Sequence, residues 1–206
     1  MCLVIHKPAA NHIPDALLAS AAEFNPRGFG IMSFDSAAGL TVQRRARTTL
    51  AEVRRLYRAH RDRECVLHLR YRTRGAVDLS NTQPLRVTRE IFVVHNGTLP
   101  LSAQASDRSD TWHFVRDYVR PILRNRPELL YDAAFQTLLK GWAGPHNRLV
   151  FMDAVRRATV IINQEAGHRI DDLWISNTRW FDGSLFNWHR EHHAPSPRPQ
   201  NIEFFA

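Results

Sequence analysis

A chain of 206 residues with 44% apolar and 23% charged residues has the make-up of a water-soluble globular protein, long enough to bury a substantial core. No apolar run approaches the roughly 20 residues that cross a bilayer, and no long apolar segment with a small-residue cleavage site follows Lys7, so a cytoplasmic protein without a membrane partner is expected. The net charge of +8 raises nucleic acid as a partner, but Lys7 and Lys140 are the only lysines and the arginines are spread from Arg27 to Arg198 with no accompanying binding motif, so nucleic acid is not expected.

The apolar run behind Cys2 predicts a strand at residues 2–6. Pro14, tolerated in a first turn, and Asn25-Pro26, a stop, bracket a helix. In PRGFGIMSF two glycines precede an apolar stretch, which predicts a tight loop and a second strand, with AGLTVQ pairing beside it. The run EVRRLYRAHRDR, residues 52–63, is a helix with Leu50, Val53, Leu56 and Tyr57 on one face and Arg54, Arg58 and Arg61 on a solvated one. CVLHLRY and IFVVH are short apolar strands buried on both faces. Ser109 and Asp110 can cap a helix carrying Trp112, Val115, Val119 and Ile122, and a further helix is expected from Glu128 to Trp142. RLVFMD and ATVIINQ form a hairpin, and LWIS is a last strand. Trp174, Trp180, Phe181, Phe186 and Trp188 are expected to pack the C-terminal segment, and residues 189–206, with the proline-rich APSPRPQ, to form an extended arm of a single domain spanning 1–206. Strands, then two helices, then strands again make an α/β fold in which two sheets pack face to face under outer helices.

Cys2 and Cys65 show neither redox nor metal-ligand spacing and stay thiols in a reducing compartment. Cys65 alternates with Leu67 and Leu69 and belongs to the core. Cys2 is either a small hydrophobe opening a strand or, if Met1 is removed, a first residue carrying an amine and a thiol together. Arg70, at a strand exit, can grip a carboxylate with two parallel hydrogen bonds, with Thr73 offering a hydroxyl, and a surface arginine beside a turn threonine is the plainer reading. Asn96-Gly97 ends a buried strand abruptly. It is a turn signal, and the same pair can aim a side-chain amide and an open backbone N–H at one oxygen. Asp110 is either part of a helix cap or the partner of an ammonium group. His68 and His95 are strand residues to which no base role falls, and His189, His192 and His193 make a polar tail rather than a metal site.

Read in order, Met1-Cys2, Arg27-Gly28-Phe29-Gly30, His68-x-Arg70-x-x-Thr73-x-Gly75, Asn81-Thr82-Gln83-Pro84, His95-Asn96-Gly97 and Ser109-Asp110-Thr111 resemble the motifs of the class II glutamine amidotransferases, N-terminal-nucleophile glutaminases of the short stand-alone type. The resemblance is carried by matched motifs to about Thr111 and more loosely to about residue 165. It implies a four-layer αββα sandwich of two mainly antiparallel sheets. It implies that Cys2 attacks the side-chain amide of glutamine with its own α-amine as base, that Asn96 and Gly97 hold the oxyanion, and that glutamate and ammonia leave through a γ-glutamyl thioester. Arg70 and Thr73 would bind the substrate carboxylate, Asp110 the ammonium, and Tyr71 would line the pocket. No metal or other cofactor is implied.

The sequence departs from the family pattern where Gln83 stands in place of a histidine and Arg27 in place of an aspartate. About 40 residues follow the hairpin and no synthetase domain is legible there, which leaves two expectations open: ammonia delivered to a separate ammonia-accepting synthetase subunit as partner, or a stand-alone hydrolase acting on glutamine or a γ-glutamyl amide. Two alternatives stand beside the glutaminase reading: a γ-glutamyl amide hydrolase, and an inactive basic module that binds nucleic acid.

Overall fold

The protein is described from a computed structural model covering residues 2–37, 39–71, 76–101 and 107–180. The expected arm at 189–206, with His189, His192 and His193, lies outside the described residues, as do Phe181, Phe186 and Trp188.

The first half of the chain runs β1 (Leu3–Lys7), α1 (Asp15–Phe24), β2 (Phe29–Asp35), β3 (Gly39–Arg45), α2 (Leu50–Arg58), β4 (Cys65–Leu69), β5 (Leu85–Arg86) and β6 (Ile91–Asn96). The second half runs α3 (Asp110–His113), a π-helical stretch Phe114–Val119, α4 (Arg120–Asn125), a 3-10 turn Pro127–Tyr131, α5 (Ala133–Ala143), β7 (Arg148–Asp153), β8 (Ala158–Ile162), β9 (His168–Ile170) and β10 (Leu173–Ile175). A six-stranded sheet is ordered β3-β2-β4-β1-β10-β9 and a four-stranded sheet β5-β6-β7-β8, each antiparallel throughout.

The period-two alternation of the strands assigns every side chain a layer. Leu3 and Ile5 of β1, Phe29 and Ile31 of β2, and Cys65, Leu67 and Leu69 of β4 meet Leu17, Leu18 and Ala21 of α1 and Val53, Leu56 and Tyr57 of α2. The alternate residues Val4, Met32, Phe34 and Val66, with Trp174, meet Val94, Val150 and Met152 across the space between the sheets. On the far side, Ile91, Val93, Leu149 and Phe151 pack under Phe114, Val115, Val119, Leu123, Leu139 and Ala143. The result is the expected αββα order, with Cys65 in the core. Burying each large aliphatic or aromatic side chain contributes about 1.5–3 kcal/mol, so three contiguous apolar layers dominate the stability of the fold.

Local chemistry explains the helix boundaries. Thr49 and Glu52 form a reciprocal capping box at the start of α2, and Arg54 on its outer face pairs with Asp15 of α1. The helix expected over 128–142 is two elements, because Asp132 is extended and its carboxylate accepts from Phe135 N at 2.8 Å, starting α5 afresh. The π-helical stretch ends where Arg120 N–H reaches back to Val115 O, immediately before Pro121, whose nitrogen has no hydrogen to donate. Among the described residues, no helix is long and apolar enough to cross a membrane.

Candidate active site

The site forms where the open ends of β1, β4 and β6 meet, and glycine makes the approach possible. Gly28, at φ +144°, gives its carbonyl to Arg70 N at 2.8 Å, while Arg27 N donates to Arg70 O at 3.0 Å, so the loop ahead of β2 clasps the residue after β4. A Cβ on Gly30 would stand 1.8 Å from Gln83 O, so only glycine lets the Asn81–Pro84 segment lie directly on β2. The Gln83–Pro84 peptide is cis. Asn81 fastens that segment to the next helix: its Nδ2 donates to Asp107 O at 2.7 Å and its Oδ1 accepts from Ser109 N at 2.7 Å.

Cys2 sits one residue before β1, partly open to solvent, with its Sγ donating to Tyr71 O at 3.4 Å. Burial pushes its thiol pKa up; a hydrogen bond with the Tyr71 backbone and the Arg70 guanidinium oppose that, and the Asp110 carboxylate adds to it. Both charges therefore lie close enough to act on the sulfur. Arg70 is almost fully buried and donates from Nη1 to Ala76 O at 2.8 Å. The Asp110 carboxylate accepts from Leu99 N at 2.7 Å and from Thr111 N at 2.8 Å, which fixes it at the mouth of α3, whose side-chain cap is Ser109. Asn96, wholly buried, donates from Nδ2 to the Cys2 carbonyl. Asn177, just past β10, donates to the same oxygen at 2.9 Å and approaches Asn96 Oδ1 at 3.3 Å.

The Asn96-Gly97 corner is braced from below. Gly97 has φ +141°, and a Cβ there would stand 2.2 Å from Asn147 Oδ1. That oxygen meets His95 Nε2 at 2.8 Å, His95 Nδ1 meets Thr111 Oγ1 at 2.9 Å, and Asn147 Nδ2 donates to Ala143 O at 2.6 Å. Gln83 completes the brace: its Oε1 accepts from His95 N at 2.5 Å and its Nε2 donates to Thr111 Oγ1 at 3.2 Å. The amide that departs from the family pattern thus ties β6 to α3. His68 and His95 are both buried, and burial lowers both pKa values, His68 to about 3, so both imidazoles are neutral at pH 7.

The structure brings Cys2, Arg70, Asn96, Gly97 and Asp110 to one end of the sandwich. Thr73 lies outside the described residues. The Tyr71 ring is 44% exposed and stacks on Phe24 at 6.1 Å between centroids, so it is the main-chain carbonyl of Tyr71 that meets the thiol. Sequence reasoning missed Asn177 and Asn147; the signal for Asn177 was a Ser-Asn pair ending an apolar strand, a place where buried polar groups need a reason.

No curated protein sequence matches the chain. Among solved structures, glutamine phosphoribosylpyrophosphate amidotransferase from B. subtilis, complexed with ADP and GMP, is similar at 14% identity and a TM-score of 0.40; the match covers 88% of this chain and 42% of that one. Residues 16–122, just over half of the sequence, match the family described as glutamine amidotransferases class-II; that span contains Arg70, Asn96, Gly97 and Asp110 and begins after Cys2. A match over that much of the chain, on a fold whose two sheets bring those four residues to the end where Cys2 lies, makes this protein a member of the class II glutamine amidotransferases.

Proposed function

We propose that the protein is an N-terminal-cysteine amidohydrolase that converts glutamine and water to glutamate and ammonia. The observation that carries this reading is the meeting, at Cys2, of an Asn96 amide on its carbonyl with an Arg70 cation and an Asp110 anion that both act on its sulfur. A thiol whose pKa is pushed up stays protonated near neutral pH and needs a base. After removal of Met1 the α-amine of Cys2 is that base, held on the same residue as the sulfur and, at an ordinary value of about 8, partly unprotonated near neutral pH.

In this scheme Arg70 and Asp110, of opposite charge, hold the α-carboxylate and α-ammonium of glutamine, with Thr73 assisting the first. The Cys2 sulfur forms a bond to the amide carbon while its proton goes to the amine. An amide NH2 carries two hydrogens, so Asn96 can keep its bond to the Cys2 carbonyl and meet the oxyanion with the other, beside the N–H of Gly97. The C–N bond breaks as the amine protonates the departing nitrogen, giving ammonia and a γ-glutamyl thioester, and water then releases glutamate. Class II glutamine amidotransferases act on glutamine and often pair with an acceptor synthetase domain; here the acceptor is proposed to sit on a separate subunit.

The test is glutamate and ammonia release by wild type, Cys2→Ala and Arg70→Ala, with intact mass of the active protein. Expected are no turnover in Cys2→Ala, a KM rise of about tenfold or more in Arg70→Ala, and loss of Met1. An active Cys2→Ala protein, or active protein that keeps Met1, refutes the scheme. The exposed Phe24–Tyr71 stack beside the carbonyl that holds the thiol favours a second reading, in which the leaving group is a substituted amine. Faster release of aniline from γ-glutamyl anilide than of ammonia from glutamine would select it.

A further inference from the structure

The residue that opens a strand has a carbonyl the ladder does not reach. Pairing of β1 begins at Leu3 against Leu69 of β4 and at Ile5 against Ile175 of β10, so Cys2 stands ahead of the ladder on both sides. Its carbonyl oxygen is held instead by two side-chain amides, Asn96 Nδ2 and Asn177 Nδ2. For a first residue, ψ is the backbone rotation that sets where the amine and the side chain stand relative to the carbonyl. Two donors converging on that oxygen, one from the end of β6 and one from the loop after β10, fix ψ, and with it the amine and the sulfur.

Asn177 does more than add a donor. Its Nδ2 lies 3.3 Å from Asn96 Oδ1, a contact that distinguishes the two ends of the Asn96 amide and turns the NH2 end toward Cys2. Asn177 is itself anchored. Ser176 takes both backbone groups of Val4, accepting from Val4 N on its Oγ and donating its own N–H to Val4 O, each at 2.9 Å. Trp180 Nε1 donates to Asn177 O at 2.6 Å, Arg179 N donates to Asn177 Oδ1 at 3.3 Å, and the residue is buried.

We propose that Asn177 is a positioning residue for the nucleophile: it locks the Cys2 carbonyl and orients the Asn96 amide, so that thiol, amine and oxyanion donor are in register before substrate arrives. The proposal rests on the glutaminase reading above. It touches neither Arg70 nor Asp110, so its loss is felt in the rate of the chemical step and not in glutamine binding.

The experiment compares the full-length wild type, Asn177→Ala and Asn177→Asp, the second keeping the volume without an N–H donor. Steady-state glutamine hydrolysis, thermal unfolding, and the rate of Cys2 alkylation by iodoacetamide from pH 6 to 9 are measured. Displacing a reacting group by about 1 Å can cost about a hundredfold, so kcat is expected to fall by about tenfold to a hundredfold in both variants with KM within about threefold. The pH profile of alkylation should shift while the unfolding transition stays cooperative. A kcat within about twofold of wild type in a folded variant, or a KM rise equal to the kcat loss, overturns the proposal. So does failure of both variants to fold, which would make Asn177 a folding residue. If wild type releases no glutamate, the functional reading fails; the alkylation profiles then still decide, and profiles unchanged by either substitution overturn the positioning role.

Discussion

Replacing Gln83 with alanine should unfasten the floor of the site, and the cost can be worked from its contacts. The pairing of β5 with β6 sets Leu85 against Val93, so Gln83 falls opposite His95, beyond the end of the short strand β5. Its side-chain Oε1 supplies the acceptor that a longer strand would have provided, taking His95 N at 2.5 Å. Orphaning that buried N–H costs about 1–3 kcal/mol. Removing the one buried methylene that alanine lacks costs about 0.8 kcal/mol more. The sum is about 2–4 kcal/mol. With a urea slope of about 2 kcal/mol/M, the unfolding midpoint should drop by about 1–2 M at unchanged slope. Thr111 also loses its contact with Gln83 Nε2, so a raised KM for glutamine is expected through the neighbouring Asp110. A midpoint within about 0.5 M of wild type would refute the reasoning and show that water or a shifted neighbour satisfies His95 N–H.

Two further outcomes are expected. Gly97→Ala puts a Cβ 2.2 Å from Asn147 Oδ1 at φ +141°, so the corner must move; kcat for glutamine should fall by about a hundredfold as the proposed N–H donor shifts, and a fall under about threefold would remove Gly97 from the oxyanion role. His68 is held neutral down to about pH 3 by burial, with the Arg70 charge adding to it. Its folded pKa lies below the unfolded value, so the unfolded chain takes up the proton first and the native state loses stability as pH falls from about 6.5 toward 3. Urea midpoints should show wild type losing about 2 kcal/mol more than His68→Leu between pH 6.5 and 4.5; parallel pH curves would refute this.

The αββα order was legible because alternation and helical periodicity are local, and each apolar set found its layer. Cys65 is in the helix-facing core because it shares parity with Leu67 and Leu69. Boundaries were less legible: the expected helix over 128–142 breaks at Asp132, whose carboxylate was free to cap a new helix. Short strands such as β5 and β9, two and three residues long, carry too little periodicity to be seen. The role of Gln83 was hidden as well, since its partners His95 and Thr111 are 12 and 28 residues away.

By itself the sequence determined which side chains share a face, where the chain must turn, and which residue types stand ready for amide chemistry, because these follow from neighbours along the chain. Only the tertiary structure decided that Asn177, 175 residues from Cys2, donates to the nucleophile's carbonyl, and that Gly30 is glycine because Gln83 lies against it. Contacts of that kind arise when strands distant in sequence are laid side by side. The alternation that predicts each strand carries no record of which other strand its end will meet.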